Sequence, residues 1–471
     1  MNRALGVAVA IALAVGATAA QSRVLSADDK QAIDAIFADY DKPSSPGCML
    51  GVVADGASVY TRGYGRANLE HDVAFTPQTV FDIGSTSKQF LATAILLLVE
   101  DGKLSLDDDI RKYLPEVHDY GQPITIRHLL THTSGLRDYI TLLTLAGWQM
   151  EDVTSPAQAL DLVSRQKGLD FQPGAEFAYS NTGFFLPSLI VERVSGKGLA
   201  AFAAERIFQP VGMHATRYMD DHAAVVPRRA TGYEPAGTGF RVALSNWEQL
   251  GDGAVQTSIA DLLKWDANFY SPKVGGQRLV EALQTPGRLA NGTPIEYALG
   301  LFVGKYRGLP SVRHGGSWAG YRAELLRFPG EKTSVIVLCN LATADPSKRA
   351  NRVADIVLGR RLTGPPPKPE EDDLKLVDAK GPWTPTAEEL DRYAGTYFSE
   401  ELQARWTIAR DAQTLVVRDL RAPTRVLTPT SRDVFRSSGV VLTFDAGEGQ
   451  RGGFTVNAGR AHGMRFARVM P

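Results

Sequence analysis

Strand-like runs occur in two sets that lie far apart in this chain. In the first set, Asp55-Gly56 separates an apolar run at residues 48–54 from a second run at residues 57–62, and Asp-Gly between two such runs is a strong signal for a β-hairpin. The second set comes at residues 311–314, 321–328 and 333–340, and the sequence between the sets is mainly helical and rich in loops. These patterns predict an α+β fold, in which one antiparallel sheet, built from both ends of the domain, is flanked by helices and carries an inserted helical region.

The composition changes near residue 362. Residues 364–369 are rich in proline, residues 370–373 are all acidic, and beyond residue 384 short alternating runs are separated by Gly, Pro, Asp and Asn. This pattern is typical of a stiff, charged linker followed by an all-β barrel or sandwich. We therefore predict an α+β domain at residues 21–361, a linker at 362–383 and a small β-barrel domain at 384–471.

The first twenty residues predict export. Arg3 precedes an apolar stretch at residues 4–17, and small residues follow up to Ala20, which is the pattern of a signal peptide cleaved after Ala19 or Ala20. No later apolar run in the sequence has the length of a membrane span. We expect an exported mature protein without a membrane span, in the periplasm or secreted.

Composition and charge argue against some classes of protein function. The 51 Lys and Arg residues nearly balance the 52 Asp and Glu residues, whereas a nucleic-acid-binding protein should carry a basic surplus. A chain of 471 residues needs neither a metal nor a disulfide to form a stable core, and we expect no metal and no cofactor. Cys48 and Cys339 could pair only with each other, and their positions in strand-like runs favour small buried hydrophobic residues over a disulfide.

The segment around Ser85 is the most informative for chemistry. Lys88 follows Ser85 by three residues at the predicted start of a continuously apolar helix, so the amine lies within one helical turn of the hydroxyl and can activate it. The N–H groups at a helix N-terminus can also stabilise the oxyanion that forms when a serine attacks a carbonyl. Alone this pattern is weak, because Ser164 and Lys167 repeat it late in an ordinary amphipathic helix.

Two further motifs strengthen the case for catalysis. Tyr179-Ser180-Asn181 is the only Tyr-x-Asn in the chain, and taken alone it is typical of a turn that caps the next helix. His314-Gly315-Gly316-Ser317 follows a strand-like run. Its paired glycines would let an extended substrate approach the strand edge, and the Ser317 N–H could complete an oxyanion hole. Taken alone, this motif is equally typical of a plain turn.

In this order, the three motifs resemble those of the serine β-lactamase and penicillin-binding-protein superfamily. The resemblance covers residues 27–360 and is greatest to the class C branch, which holds class C β-lactamases, D-alanyl-D-alanine carboxypeptidases, D-aminopeptidases and related esterases. It implies a serine hydrolase that acts through an acyl-enzyme on amide or ester bonds of a small molecule or short peptide. D-amino-acid-containing peptides and small esters are the expected substrates, with at most weak β-lactamase activity.

The resemblance also implies a role for each residue of the motifs. Ser85 would be the acylated nucleophile, Lys88 its hydrogen-bonded partner, and Tyr179 a general base that later protonates the leaving group. Asn181 would orient Lys88 and the substrate amide, while the N–H groups of Ser85 and Ser317 would form the oxyanion hole. Whether Lys88 or Tyr179 removes the serine proton stays open, because the ordinary pKa of each side chain is about 10.

His314 departs from the family pattern, in which the third motif usually begins with a lysine that helps to bind a substrate carboxylate. Histidine is mostly neutral at pH 7, which argues against efficient β-lactamase activity. A histidine at this position resembles the pattern of the D-aminopeptidase and esterase-like relatives. If His314 instead binds an anionic group as an imidazolium, hydrolysis of carboxylate substrates should fall as the pH rises past its pKa.

Other interpretations of the sequence remain. A penicillin-binding sensor or scaffold would be acylated once without turnover, and burst stoichiometry distinguishes it from an enzyme. A zinc hydrolase could use His128 and His132, but the sequence lacks the adjacent Glu of a metalloprotease motif, which favours structural histidines. The C-terminal domain resembles the lipocalin-like extension of some D-peptidase relatives, and we expect it to lie over or near the cleft and to restrict substrate size. The oligomeric state stays open.

Overall fold

The computed structural model describes residues 24–366 and 383–469, apart from residues 420, 422, 448 and 450. The predicted signal peptide and most of the predicted linker lie outside the described residues. The helices are, in chain order, α1 Ala27–Ile36, α2 Lys88–Glu100, α3 Ile126–Leu130, α4 Tyr139–Leu145, α5 Pro156–Ser164, α6 Thr182–Ser195, α7 Leu199–Ala203, α8 Gln209–Val211, α9 Ile259–Asn268, α10 Gly276–Gln284, α11 Pro346–Leu358 and α12 Ala387–Asp391.

The strands fall into two groups on either side of the linker. Those before it are β1 Cys48–Ala54, β2 Ala57–Tyr64, β3 Arg66–Asn68, β4 Val73–Ala74, β5 Val80–Asp82, β6 Arg217–Tyr218, β7 Tyr233–Ala236, β8 Gly239–Val242, β9 Val255–Ser258, β10 Phe302–Tyr306, β11 Leu309–Trp318, β12 Tyr321–Phe328 and β13 Thr333–Cys339. Those after it are β14 Gly395–Ser399, β15 Ala404–Asp411, β16 Thr414–Arg418, β17 Arg425–Ser431, β18 Val434–Ser437, β19 Val440–Phe444, β20 Gly453–Ala458 and β21 Ala461–Arg468.

The main sheet joins both ends of the first domain, as the sequence predicts. Its order is β10-β11-β12-β13-β1-β2, and each neighbouring pair is antiparallel. The β1–β2 hairpin turns at Asp55-Gly56, where both residues have positive φ, a conformation that Gly adopts without strain. The α+β fold with an inserted helical region is therefore confirmed.

Strand β1 is apolar along its whole length because helices cover both faces of the sheet. Successive residues point to opposite sides, so Leu50 packs in the core formed with α1 and α11, while Met49 packs in the larger core of the helical region. Helix α2 lies inside that larger core and is buried from Lys88 to Leu98. A helix that is apolar on all sides is buried on all sides. The first residues of α2 are therefore held in a fixed position.

The two cysteines form a disulfide. Cys48 lies directly opposite Cys339 across the β1–β13 pair, with 4.0 Å between their Cα atoms, and their sulfur atoms are bonded. The interpretation of these residues as unpaired buried hydrophobic side chains is thus wrong. The strand register that brings them together joins segments 291 residues apart, and no local pattern in the sequence specifies it.

The C-terminal strands β14–β21 form a closed barrel, which confirms the predicted all-β domain. Each strand pairs with the next, and β14 pairs with β21 to close the ring. Alternate residues of β15 are buried, and its Trp406 packs on Phe466 of β21 with 4.5 Å between the ring centroids. The barrel core is therefore aromatic.

The barrel packs directly on the helical region of the first domain. Glu401 of the barrel accepts hydrogen bonds from the Arg137 guanidinium (3.2 Å) and from the Lys167 backbone N–H (2.7 Å). The Trp406 indole donates to the Leu145 carbonyl (3.3 Å). The apolar core is continuous across this contact, so the barrel has a defined position relative to the sheet. Among the residues that the structure describes, none of the helices combines the length and the apolarity that crossing a membrane requires.

Candidate active site

Ser85 lies on a tight turn that connects the end of β5 to the start of α2. Residues Gly84–Ser87 form a 3-10 turn, and the Gly84 N–H donates to the Asp82 carboxylate (2.7 Å). Gly84 has φ +48°, and a Cβ at this position would lie 2.7 Å from the Ser317 nitrogen. Glycine is therefore required both by the backbone conformation and by the close approach of β11.

Strand β11 runs past this turn with its backbone against it. The Thr86 hydroxyl donates to the His314 carbonyl (3.1 Å), and a Cβ on Gly316 would lie 1.9 Å from the Ile83 carbonyl oxygen. Strand β10 pairs with β11 only as far as Arg313, so the described strands leave this edge of Gly315–Ser317 unpaired. This arrangement brings the Ser317 backbone beside the Ser85 turn and leaves a strand edge on which an extended substrate can lie.

Lys88 is fully buried and directs its amine at Ser85. Its Nζ lies 3.0 Å from the Ser85 Oγ, 3.0 Å from the Asn181 Oδ1 and 2.7 Å from the Asp252 carbonyl oxygen. Burial lowers the pKa of Lys88 to about 7; the carboxylate of Asp252 opposes this shift, and the charge of Arg460 adds to it. Two N–H bonds of a neutral amine suffice for Asn181 and Asp252, which leaves the lone pair directed at the serine hydroxyl.

Asn181 stands at the start of α6, but it does not cap that helix with its side chain. The helix-capping interpretation of this motif is therefore wrong. Instead, the Asp138 Oδ2 accepts hydrogen bonds from the Asn181 backbone N–H (2.6 Å) and from its Nδ2 (2.9 Å). A carboxylate only accepts, so Asp138 holds the amide nitrogen and leaves the Oδ1 to face Lys88.

Tyr179 is half-buried in the wall of the cleft, between cations and aromatic rings. The Lys88 Nζ lies 4.9 Å and the Arg460 Cζ 4.6 Å from its ring centroid, and the His132 ring packs on it with 4.2 Å between centroids. Burial raises the pKa of Tyr179, while a hydrogen bond with Ser85 and the charge of Arg460 oppose the rise. The phenol therefore keeps its proton at neutral pH.

His314 is buried, and both of its ring nitrogens are engaged. The Nδ1 lies 2.6 Å from the Gly315 carbonyl oxygen and the Nε2 lies 3.0 Å from the Tyr297 hydroxyl. A carbonyl only accepts, so Nδ1 carries the proton and Nε2 accepts from the tyrosine. Burial, together with the charge of Lys88, lowers the pKa of His314 to about 3. This histidine is neutral at pH 7 and does not supply a cation for substrate binding.

The two histidines considered as zinc ligands have structural partners. The His128 Nδ1 accepts from the Thr125 N–H (3.3 Å) and the His132 Nδ1 from the Ser180 N–H (3.2 Å). Within the described ranges, one group of side chains has the spacing of a metal site: Asp221, His222 and Glu248, whose ligand atoms lie within 4.8 Å of one another. It does not include any residue of the three motifs.

These residues surround one cleft of about 980 Å³. Ser85, Tyr179, Asn181 and the strand segment His314–Ser317 all line it, together with Arg460 from the barrel. Lys88 is the one predicted site residue that does not line the cleft, because it is buried beneath Ser85. The three motifs thus meet at one site, and the C-terminal domain reaches the cleft as expected.

Comparison with known proteins shows which family the chain belongs to. The family model described as Beta-lactamase matches residues 33–359. The chain belongs to the Beta-lactamase family. It is 32% identical to the D-aminopeptidase of Brucella canis over 325 residues, which are 69% of this chain and 61% of that protein. The chain thus spans about three fifths of the length of the curated relatives that it matches.

Solved structures show the same fold for this Beta-lactamase-family protein. The octameric penicillin-binding protein homologue from Pyrococcus abyssi covers 94% of this chain and 99% of its own, with a TM-score of 0.61 and 23% identity. The D-amino acid amidase of Ochrobactrum anthropi SV3 covers 71% of this chain and 100% of its own, with a TM-score of 0.59 and 24% identity.

The sequence does not predict three residues that lie around the site of this Beta-lactamase-family member. Asp138 orients Asn181, and Asp252 supplies a carbonyl to Lys88 while its buried carboxylate accepts from the Tyr139 hydroxyl (3.0 Å). Arg460 comes from the turn between β20 and β21. Asp138 stands in none of the three motifs, and its role is visible only once the fold places it beside Asn181. Asp252 and Arg460 stand in no motif, and only the fold brings them to the cleft.

Proposed function

We propose that this protein hydrolyses D-aminoacyl amides, short peptides that begin with a D-amino acid, and small esters, through an acyl-enzyme on Ser85. The observation that carries the acyl-enzyme mechanism is the 3.0 Å contact between the Lys88 Nζ and the Ser85 Oγ, made by an amine whose pKa is lowered. The preference for D-amino acids is supported by the named activities of the relatives.

The geometry favours Lys88 over Tyr179 as the base for the first step. Lys88 takes the proton of Ser85 as the Oγ forms a bond to the substrate carbonyl carbon, and the carbonyl oxygen becomes an oxyanion. The backbone N–H groups of Ser85 and Ser317 stabilise that oxyanion. Since the pKa of Tyr179 is raised, its phenol holds a proton that it can give away.

Tyr179 completes the step at the leaving group. As the C–N or C–O bond breaks, the phenol donates its proton to the departing atom and is reprotonated by the Lys88 ammonium. Water then attacks the acyl carbon and gives its proton back through the same pair, and the C–O bond to Ser85 breaks. The hydroxyl of Ser85 and the neutral amine of Lys88 are restored, so atoms and protons balance.

We also propose that the protein is exported. Two observations support this: the N-terminal sequence pattern of a signal peptide, and the disulfide between Cys48 and Cys339, since disulfides persist mainly in oxidising compartments. Expression of the full chain in a Gram-negative host, followed by fractionation and mass determination of the mature N-terminus, tests the proposal. A cytoplasmic product that retains Met1 would contradict it.

A substrate panel tests the proposed activity. D- and L-aminoacyl amides, short acyl esters and a chromogenic cephalosporin should show turnover that favours D-amides and esters, with the cephalosporin a poor substrate. Ser85→Ala should abolish turnover. The matched control is Ser164→Ala, because Ser164 heads the second Ser-x-x-Lys sequence and stands at the end of α5, so this variant should keep wild-type rates.

Two results would contradict the proposed turnover on Ser85. If Ser85→Ala retains the activity, the nucleophile is another residue. If product formation stops after one equivalent, the protein is a sensor that is acylated without turnover. Equal rates on D- and L-amides would leave the serine hydrolase intact and remove the proposed stereochemical preference.

A further inference from the structure

The cleft has a cation in an unexpected place. His314 stands where a permanently charged lysine is usual in the family, and it is buried, neutral and bonded at both nitrogens. Arg460, from the barrel, places its Cζ 4.6 Å from the centroid of the Tyr179 ring and lines the same cleft. The C-terminal domain therefore contributes a permanent positive charge next to the proposed general acid.

The hairpin that carries Arg460 is held firmly against the first domain. The Arg460 carbonyl accepts the N–H of Asp138 (2.9 Å), and the next contact along the hairpin is the His462 N–H, which donates to the Asp170 carboxylate (2.9 Å). Asp138 is the residue whose side chain also fixes Asn181. The position of the Arg460 backbone is therefore tied to the same residue as the catalytic amide.

The guanidinium of Arg460 has no acceptor of its own within the part of the chain that the structure describes. It is exposed, and apart from the Tyr179 ring no described side chain or carbonyl pairs with it. The nearby carboxylate of Asp138 is occupied by Asn181 and by the Thr141 N–H. Five N–H donors are therefore available beside Tyr179 in the cleft.

The other arginines of the cleft face protein groups. Arg313 lies 4.0 Å from Glu324, and Arg322 donates to the carbonyls of Ala319 (3.0 Å) and Tyr321 (2.6 Å). Burial raises the pKa of the Asp82 carboxyl to about 6, and the charge of Arg229 acts on this carboxyl and opposes the rise. Arg460 is thus the arginine best placed to meet an anionic group of a ligand.

We propose that Arg460 binds a carboxylate on the leaving-group side of the substrate and makes the enzyme selective for it. This rests on the proposed function, because Tyr179 as the proton donor marks the side on which the leaving group departs. A guanidinium forms two parallel hydrogen bonds with a carboxylate. The favoured substrates are therefore short peptides whose released part carries a free carboxylate close to the scissile bond, over amides and esters with neutral leaving groups.

The test compares leaving groups that differ only in charge. One pair consists of the D-alanyl amides of 3-aminobenzoate and of its methyl ester, and a second pair consists of the acetate esters of 3-hydroxybenzoate and of its methyl ester. For each pair, the selectivity is the ratio of kcat/KM for the carboxylate to kcat/KM for the neutral compound. The ester pair tests Arg460 even if D-alanyl amides are not cleaved, so failure of the proposed D-specificity is distinguishable from failure of this inference.

We expect wild-type selectivity of about tenfold or more, since a charge-assisted hydrogen bond contributes at least that factor. Arg460→Met should lower the ratio by about tenfold, through KM of the carboxylate compound. Arg460→Lys should keep part of it because the charge remains but the paired geometry is lost, and Arg460→Glu should favour the neutral compound. Raising the ionic strength should weaken the wild-type preference.

The control variant is Arg418→Met, which removes an exposed arginine of the same barrel that does not line the cleft. It should leave the ratio unchanged. If Arg460→Met lowers kcat/KM of both members of a pair by the same factor, Arg460 acts only by tuning Tyr179 and Lys88 or by holding the hairpin, and the inference is wrong. A wild-type enzyme without selectivity in either pair would also overturn it.

Discussion

Removal of the Tyr179 hydroxyl should lower kcat/KM much more for substrates with poor leaving groups than for substrates with good ones. In Tyr179→Phe the ring keeps its contacts with His132 at 4.2 Å and with Lys88 at 4.9 Å, so the fold and the position of Lys88 are preserved. What is lost is one proton donor whose pKa is raised by burial. An amide needs a proton on its departing nitrogen, whereas a nitrophenolate leaves without one.

General acid catalysis contributes about 10²–10⁴-fold to a rate, which is roughly 3–5 kcal/mol of barrier. We therefore expect Tyr179→Phe to lower kcat/KM on a D-alanyl amide by about 10²–10⁴-fold. On the 4-nitrophenyl ester of the same acyl group the loss should stay below about tenfold, because Lys88 still removes the proton of Ser85. The assay is steady-state hydrolysis of both substrates at pH 8, above the pKa of Lys88, with active-site titration of the enzyme.

Tyr297→Phe is the matched control for this comparison. It removes a neighbouring buried phenol whose hydroxyl donates only to His314 (3.0 Å) among the described residues, so it should change both rates by the same factor. If Tyr179→Phe loses the ester and the amide activities equally, Tyr179 acts in the attack of Ser85 and is the base rather than the acid. That result would refute the assignment of Lys88.

Three further predictions follow from the same geometry. In the proposed mechanism the neutral amine of Lys88 is the active form, and burial lowers its pKa to about 7, so kcat/KM should rise with pH up to about 7 and then level. A rise that continues well above pH 9 would indicate a Tyr179 base; pH–rate profiles on a neutral ester decide this. Gly316→Ala should lower acylation by a fluorophosphonate probe at least about tenfold, since its Cβ would lie 1.9 Å from the Ile83 carbonyl oxygen; Gly330→Ala, with no atom within 4 Å of its Cβ, should acylate normally, and an unaffected Gly316→Ala would contradict the close approach. Replacing both cysteines by alanine should lower the free energy of unfolding by up to about 5–6 kcal/mol in the chain-entropy model, given a closed loop of 291 residues; urea denaturation measures the loss, and a change below about 1 kcal/mol would contradict a disulfide in the native protein.

Much of the fold is readable from the sequence because local patterns specify it. The β1–β2 hairpin follows from Asp-Gly between apolar runs, and the burial of α2 follows from its uniformly apolar residues. The barrel follows from short alternating runs after a proline-rich linker. Closure of the barrel also satisfies a simple rule, since exposed strand edges are avoided. The exact register is not readable, which is why the Cys48–Cys339 bond was not predicted.

The site is only partly readable for a related reason. Ser85 and Lys88 are neighbours on one turn, so their contact is a local property of the chain. Asn181 looks like a helix cap in sequence, and only the carboxylate of Asp138 turns its amide toward Lys88. Arg460 stands in a Gly-Arg turn without any local signal, and it reaches Tyr179 because the barrel packs on the helical region. Contacts that arise from domain packing cannot be predicted from a local sequence pattern.

The contact between the domains also decides how the barrel can be studied. Deleting the chain after Gly364 would be the direct way to ask whether the barrel restricts substrate size. It would also expose apolar core that is continuous across the contact and leave the buried Arg137 without Glu401. Asp170 and Gln166 would remain as its partners, but loss of one partner of a buried charge is destabilising. A change of specificity in the truncated protein could therefore not be separated from damage to the neighbouring Asp138–Asn181 contact. Single substitutions at the tip of the β20–β21 hairpin leave these contacts in place. They therefore distinguish the effect of the barrel on catalysis from its effect on stability.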